Sequence, residues 1–147
     1  MVLPLLMALL FGLIEMSWSF AQVNDVRYGT REGARAAAVD IGNTSTIGQT
    51  VCDSMDIVGP TQNIDVTLTP VESSPAIPGE GSVGALAEIT VSADLQTITG
   101  FFDFLLGGKT IASTVEFRLE QPAVGEGNAT WWEEAAAGSP QDTYSCP

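Results

Sequence analysis

The chain contains no histidine. That absence removes the commonest general base and the commonest nitrogen ligand for a metal, and it excludes Ser/His/Asp catalysis outright. Basic residues are scarce as well: 5 Lys and Arg stand against 18 Asp and Glu, a formal net charge of −13 at pH 7. A surface of that sign does not attract nucleic acid or anionic lipid through bulk electrostatics. Cysteine is limited to Cys52 and Cys146, 94 positions apart, a separation that matches no metal-ligand spacing. In an exported domain the economical reading is that the two pair with each other; the other reading is two unpaired buried thiols. In the chain-entropy model a loop of that size contributes on the order of 4 kcal/mol. Carboxylate pairs such as Glu133-Glu134 fall in a Gly-, Ala- and Pro-rich tail ill suited to preorganise chemistry. The scattered acidic residues follow no calcium-loop pattern. These absences lead to the expectation of a non-enzymatic protein with no cofactor and no metal.

What is present concentrates in the first forty positions. At 147 residues the chain has room for one domain plus an anchor. An apolar run from Met1 to Ile14 meets Glu15 and continues, less apolar, through Ser17, Ser19 and Gln22. Three readings are open. Residues 2–23 match the roughly twenty positions that a bilayer core requires of a spanning helix. A cleaved signal peptide would use 5–14 as its apolar core and Ser19-Phe20-Ala21 as the cleavage site, but no basic n-region precedes it. A buried core helix fails because so small a domain has nothing ahead of the segment to cover it. The first reading is preferred. It divides the chain into a transmembrane segment, 1–23, and an extracytoplasmic α+β domain, 24–147. Arginines follow the apolar run and none precedes it, which by the positive-inside rule points the domain to the cytoplasm, whereas an exported disulfide points it outward. A basic leader ahead of Met1 would remove the conflict.

No proline interrupts 22–39, and Ala34, Ala36, Ala37 and Ala38 favour helix. Val23, Val26, Thr30, Ala34, Ala37 and Ile41 recur at three- and four-residue spacing and mark one buried face. Gly29, Gly33 and Ala37 form a four-spaced row of small side chains that lets another backbone approach closely. Arg27, Arg31 and Arg35 form another row, with Glu32 within reach of Arg35. That row is either a solvated face or a contact for acidic neighbours in an assembly. Glu15 is costly in a spanning helix. It either sets register against a cationic group on a neighbouring helix or lies near the outer interface beside Trp18.

Leu3-Pro4-Leu5-Leu6, Phe11-Gly12-Leu13-Ile14-Glu15 and Arg31-Glu32-Gly33-Ala34-Arg35-Ala36-Ala37-Ala38 resemble, in order and spacing, the N-terminal signature of the TadE-like family. These are pseudopilin-like proteins of tight-adherence (Flp-type) pilus assembly. The resemblance covers about residues 2–40. It implies a non-enzymatic, single-pass protein of the cell membrane with its domain on the extracytoplasmic side. Its implied partners are other pilus or secretion assembly proteins, itself or a paralogous pseudopilin. Family members carry, just upstream of the Leu-Pro, a basic segment and a Glu-Phe pair linked to prepilin-peptidase processing. This sequence has neither, and Glu15 is not the counterpart of that glutamate.

Beyond the first helix, Thr46 with Gln49 resembles a capping box. Ile47, Val51, Met55 and Val58 share one face of a short second helix closed by Gly59-Pro60. Residues 64–69 read as a strand, and 70–84 as a long Pro- and Gly-rich loop. Ala87, Ile89, Val91 and Ala93 alternate with polar neighbours, as do Ile111, Val115, Phe117 and Leu119, and each set predicts a strand. Phe101, Phe102, Leu105 and Leu106 suit a short helix ended by Gly107-Gly108. The tail reads as irregular, held by Trp131, Trp132 and the Cys146 tether. Trp131-Trp132 is either a lid on the sheet or an exposed contact for a partner subunit or the membrane interface. Asp40-Ile41-Gly42-Asn43-Thr44 suggests a phosphate loop, but it follows an alanine-rich helix rather than a buried strand. Asn43-Thr44-Ser45 and Asn128-Ala129-Thr130 fit glycosylation sequons, which such short patterns do by chance.

The expected architecture is α+β and pilin-like: a long N-terminal transmembrane helix continuing into three to four antiparallel strands with one or two short helices. The expected function is a membrane-anchored assembly component of a pilus or secretion system. The alternative is a secreted stand-alone binding domain released by signal peptidase near Ala21.

Overall fold

A single helix, α1 (Leu3–Val39), carries the chain through its whole N-terminal quarter. At 1.5 Å per residue its 37 residues extend about 55 Å. Pro4 falls in the first turn, where an N–H would have no intrahelical partner in any case, so it does not break the helix. The structure, a computed structural model, describes residues 2–39, 44–58, 63–71, 84, 86–100, 103, 107–120 and 143–146.

After α1 come α2 (Thr44–Ser54), β1 (Asp65–Pro70), β2 (Leu86–Asp94), β3 (Thr110–Arg118) and β4 (Thr143–Ser145). The four strands form one antiparallel sheet in the order β3-β2-β1-β4, and the molecule is α+β. Period-2 alternation explains the sheet. Ala87, Ile89, Val91 and Ala93 of β2 are all fully buried, and β1 turns Val66 and Leu68 to the same side. Register sets Val66 against Val91 and Leu68 against Ile89, while Ile89 faces Val115 on the other flank. The sheet's apolar face receives α1 and α2, and the resulting core joins Val26, Ala34 and Ala37 of α1 with Ile47 and Val51 of α2. Glu120 donates its N–H to the carbonyl of Ala38 at 2.9 Å, which ties the end of β3 to a last-turn carbonyl of α1 that has no intrahelical donor.

Three expectations change. The second helix begins at Thr44, so Thr46 and Gln49 lie inside it and form no capping box; instead the Thr50 hydroxyl donates to the Thr46 carbonyl. The helix ends at Ser54, and Met55 and Val58 follow it as buried residues of the chain segment beyond. The tail is not irregular to its end, because Thr143–Ser145 adds a fourth strand to the free edge of β1. Backbone pairing covers Asp65, Val66 and Thr67 of that edge, and Cys146 extends it by donating its N–H to the Ile64 carbonyl at 3.1 Å. The expected helix around Phe101, Phe102, Leu105 and Leu106 lies outside the described residues, as do Ile41, Gly59-Pro60 and most of the 70–84 loop. Gly107 donates to the Asp103 carbonyl, and Gly108 follows at φ 69°, a left-handed conformation that glycine adopts without a Cβ penalty.

Candidate functional site

The face of α1 that meets the rest of the protein starts earlier than the alternation from Val23 suggests. Buried positions run Glu15, Gln22, Val26, Gly29, Thr30, Gly33, Ala34, Ala37. Within them, 15, 22, 26, 33 and 37 advance by seven, four, seven and four, which keeps one stripe in line along a 3.6-residue helix. Val26, Thr30, Ala34 and Ala37 belong to it, whereas Val23 is only half-buried at its margin. Glu15 and Gln22 are its two N-terminal members. Both are polar, and both are fully buried.

Each is matched by the same short segment after β2. The Gln22 side chain donates to the Gln96 carbonyl at 2.8 Å and accepts the Gln96 N–H at 3.0 Å, so its amide behaves as one more rung of a backbone ladder. One turn pair further down, the Glu15 carboxyl group accepts the N–H of Ile98 at 3.2 Å and that of Thr99 at 2.7 Å. The Thr99 hydroxyl donates to the same oxygen as its own N–H. A buried carboxyl group is tolerated only when donors surround it, and here they do. These Glu15 contacts all come from its own chain.

A second acidic side chain of α1 does similar work on the other side. Asp25 accepts the N–H groups of Asp56, Ile57 and Val58 at 3.3, 2.8 and 2.8 Å, gathering three amides just beyond α2. The residue pattern alone assigns no packing role to Asp25 or Gln22. For Gln22 and Glu15 a signal existed, since both are in phase with Val26, Gly33 and Ala37. For Asp25 none did, because its donors are defined only once the chain beyond α2 folds back.

The small-residue row accepts side chains of the same chain. A Cβ at Gly33 would collide with Val51 Cγ2 and stand 2.8 Å from Ile89 Cδ1; one at Gly29 would stand 2.8 Å from Met55 Cγ and 3.0 Å from its Sδ. At Gly33, side chains of both α2 and β2 pack against α1. Arg27, Arg31 and Arg35 lie on the opposite, exposed face with Tyr28. Arg35 reaches Glu32 at 3.6 Å with its side chain 82% exposed, an ion pair that contributes little to stability. Cys52 and Cys146 are joined, with Cα atoms 5.8 Å apart. Gly48, one turn before Cys52, packs against the ring of Tyr144, two residues before Cys146, so one face of α2 meets one face of β4. Trp131, Trp132, Glu133, Glu134, both sequon asparagines and the 40–43 part of the Asp-Ile-Gly-Asn-Thr motif lie outside the described residues. Among the described residues, no three of His, Cys, Asp and Glu converge as a metal site would require.

The N-terminal part of α1 has the opposite character. Leu3, Leu5, Leu6, Leu9, Leu10, Leu13 and Ile14 are exposed. By length and composition the helix is able to cross a membrane, and it is the one such helix among the described residues. A long helix that is bare and apolar at one end and sealed by its own domain at the other is suited to anchoring and lateral packing. The model of the family described as TadE-like protein matches residues 1–35, which covers most of this helix and of the stretch whose motifs carry the resemblance. No curated protein and no solved structure matches the chain.

Proposed function

We propose that the protein is a non-enzymatic, membrane-anchored, pseudopilin-like component of a tight-adherence (Flp-type) pilus assembly or secretion system, acting through helix packing and protein–protein contacts. The observation that carries this reading is the division of α1. One stripe of its 15–37 stretch, from Glu15 to Ala37, is covered by the protein's own loop, α2 and sheet, while the large apolar side chains of 2–14 are exposed. Exposed aliphatic residues on that scale need lipid or neighbouring helices as solvent. The family match to residues 1–35 supports the same assignment. The Cys52–Cys146 disulfide supports an extracytoplasmic domain, since cytosolic thiols are kept reduced. The partners in this reading are other assembly proteins, a paralogous pseudopilin or a second copy of the chain.

Release by signal peptidase near Ala21 is disfavoured on packing grounds. Cleavage there would remove Glu15 and leave the N–H groups of Ile98 and Thr99 without their acceptor. The test is fractionation of cells producing the full chain, with intact-mass analysis and cross-linking. The expected result is inner-membrane retention with residues 1–21 present, and cross-links to proteins encoded beside a secretion ATPase. A soluble protein beginning at Gln22 overturns the reading.

A further inference from the structure

We propose that the segment 95–100, between β2 and β3, is a second membrane contact, held by Glu15 and Gln22 at the level where α1 leaves the lipid, with Ile98 entering the acyl-chain edge beside Leu13, Ile14 and Trp18. The inference rests on the anchored reading above and adds to it where the lipid ends and what else touches it.

The geometry begins with the groove between the segment and the helix. It is open, has a volume of about 400 Å³, and is lined by Leu13, Ile14, Ser17, Trp18, Ala21 and Ile98. None of these carries a charge. Ile98 is 55% exposed, and an isolated exposed isoleucine would mean nothing. This one continues the bare surface formed by Leu9, Leu10, Leu13 and Ile14 without a break. Along α1 the first charged side chain after Glu15 is Asp25, so a band of more than two helical turns of α1 beside the groove carries no charge; an exposed charge, Asp103, lies against the segment, its carboxylate accepting the Thr97 hydroxyl at 3.3 Å. Trp18 is half-buried within that band, where an amphipathic ring favours the headgroup boundary.

Hydrogen bonding decides between water and lipid as the neighbour. Backbone that meets lipid must have its polar groups satisfied internally. The N–H groups of Gln96, Ile98 and Thr99 are taken by Gln22 and Glu15, and that of Leu95 by the Lys109 carbonyl. On the helix, the Ser17 hydroxyl returns to the Leu13 carbonyl at 2.8 Å and the Ser19 hydroxyl to the Glu15 carbonyl at 2.9 Å. The two side chains of this band that would be worst in lipid, Glu15 and Gln22, are the ones that hold the segment in place. An apolar rim with the N–H groups of 95, 96, 98 and 99 and both helix serine hydroxyls paired is compatible with the acyl edge of a bilayer. With a net charge of −13, the chain has no electrostatic preference for anionic lipid, so zwitterionic lipid is the expected surface.

The test is nitroxide accessibility on the full chain in phosphatidylcholine nanodiscs, with labels at Ile98→Cys, Leu9→Cys and Tyr28→Cys in separate samples. The native cysteines are joined and do not compete for label. Leu9 reports the anchor, and Tyr28 lies about 20 Å beyond Glu15 along the helix and reports water. The expected result is an oxygen-to-nickel-chelate accessibility ratio at 98 that is close to that at 9 and several-fold above that at 28. If 98 matches 28 while 9 remains in lipid, the second contact is overturned and the anchor stands. If 9 also matches 28, the anchored reading fails and the inference fails with it.

Discussion

Thr99 donates both its backbone N–H and its hydroxyl to a single carboxyl oxygen of Glu15, across 84 positions of sequence. The pair fixes a loop of the sheet to a helix at the foot of the structure, where the core above has run out of apolar residues. Gln22 and Gln96 repeat the device two turns further along. Between them, two side chains that would be liabilities on a bare helix become the means by which α1 and the 95–100 segment hold a common position. Hydrophobic contact there would be non-directional, whereas a ladder of paired amides specifies one register.

Replacing Gln22 with Leu removes both bonds to Gln96 while filling nearly the same volume. The Gln96 N–H and carbonyl are left without these partners, and the expected loss of stability is about 1–3 kcal/mol. Glu15→Ala acts on the adjacent rung. Amide hydrogen exchange at Ile98 and Thr99 is expected to quicken several-fold, while protection in the centre of β2 is unchanged because its partners in β1 and β3 are untouched. Equal acceleration at Ile89 and Val91 would show that the contact supports the whole sheet rather than the segment.

Gly33 and Gly29 are expected to respond oppositely to alanine. Each substitution gains about 1 kcal/mol of helix propensity in the interior of α1. At Gly33 the new Cβ meets Val51 and Ile89, both fully buried in the core, and overpacking costs about 1–3 kcal/mol. Gly33→Ala is therefore net destabilising, and Gly33→Val more so. At Gly29 the obstacle is the thioether end of Met55, an unbranched chain that can rotate aside. Gly29→Ala is expected to be neutral or slightly stabilising. Thermal unfolding of the two variants side by side checks the contrast.

Much of this was legible from the residues alone, and the parts that were not share a cause. The strand at 86–94 announces itself through Ala87, Ile89, Val91 and Ala93, because a half-buried strand must alternate. The continuous helix follows from an alanine-rich stretch free of proline. β4 did not show, since Thr143–Ser145 has no pattern of its own; its pairing depends on the open edge of β1 and on the disulfide that follows. Glu15 was visible as an anomaly, yet its partners at 98 and 99 were not. Partners so distant in sequence carry no local signal. Its phase with Gln22, Val26 and Gly33 did carry one, pointing to the protein's own core rather than to lipid.

Removing the disulfide tests how far β4 depends on its tether. Cys52→Ser, Cys146→Ser and the double variant are expected to lose the same amount of stability, on the order of 4 kcal/mol for a closed loop of this size. Reducing the native protein should reproduce the effect. Local exchange at Tyr144 is expected to rise before global unfolding, because β4 pairs with β1 over three residues, extended only by the Cys146 N–H to the Ile64 carbonyl among the described residues. A native-like Tm in the double variant would mean that Tyr144 packed on Gly48 suffices.

Charge reversal at Arg27, Arg31 and Arg35 separates a contact row from a solvated face. All three are exposed, and their described ion pair with Glu32 is weak. Triple substitution with Glu is expected to shift stability by no more than about 0.5 kcal/mol per site, as exposed replacements usually do. In a chain already at −13, the row is the main concentration of positive charge, so it is the natural seat for an acidic surface of a neighbour. Cross-linking to assembly partners should fall sharply in the triple variant while membrane retention and Tm stay near the native values. Unchanged cross-linking with an intact fold would assign the row to solvent and move the search for the contact surface to other faces of the domain.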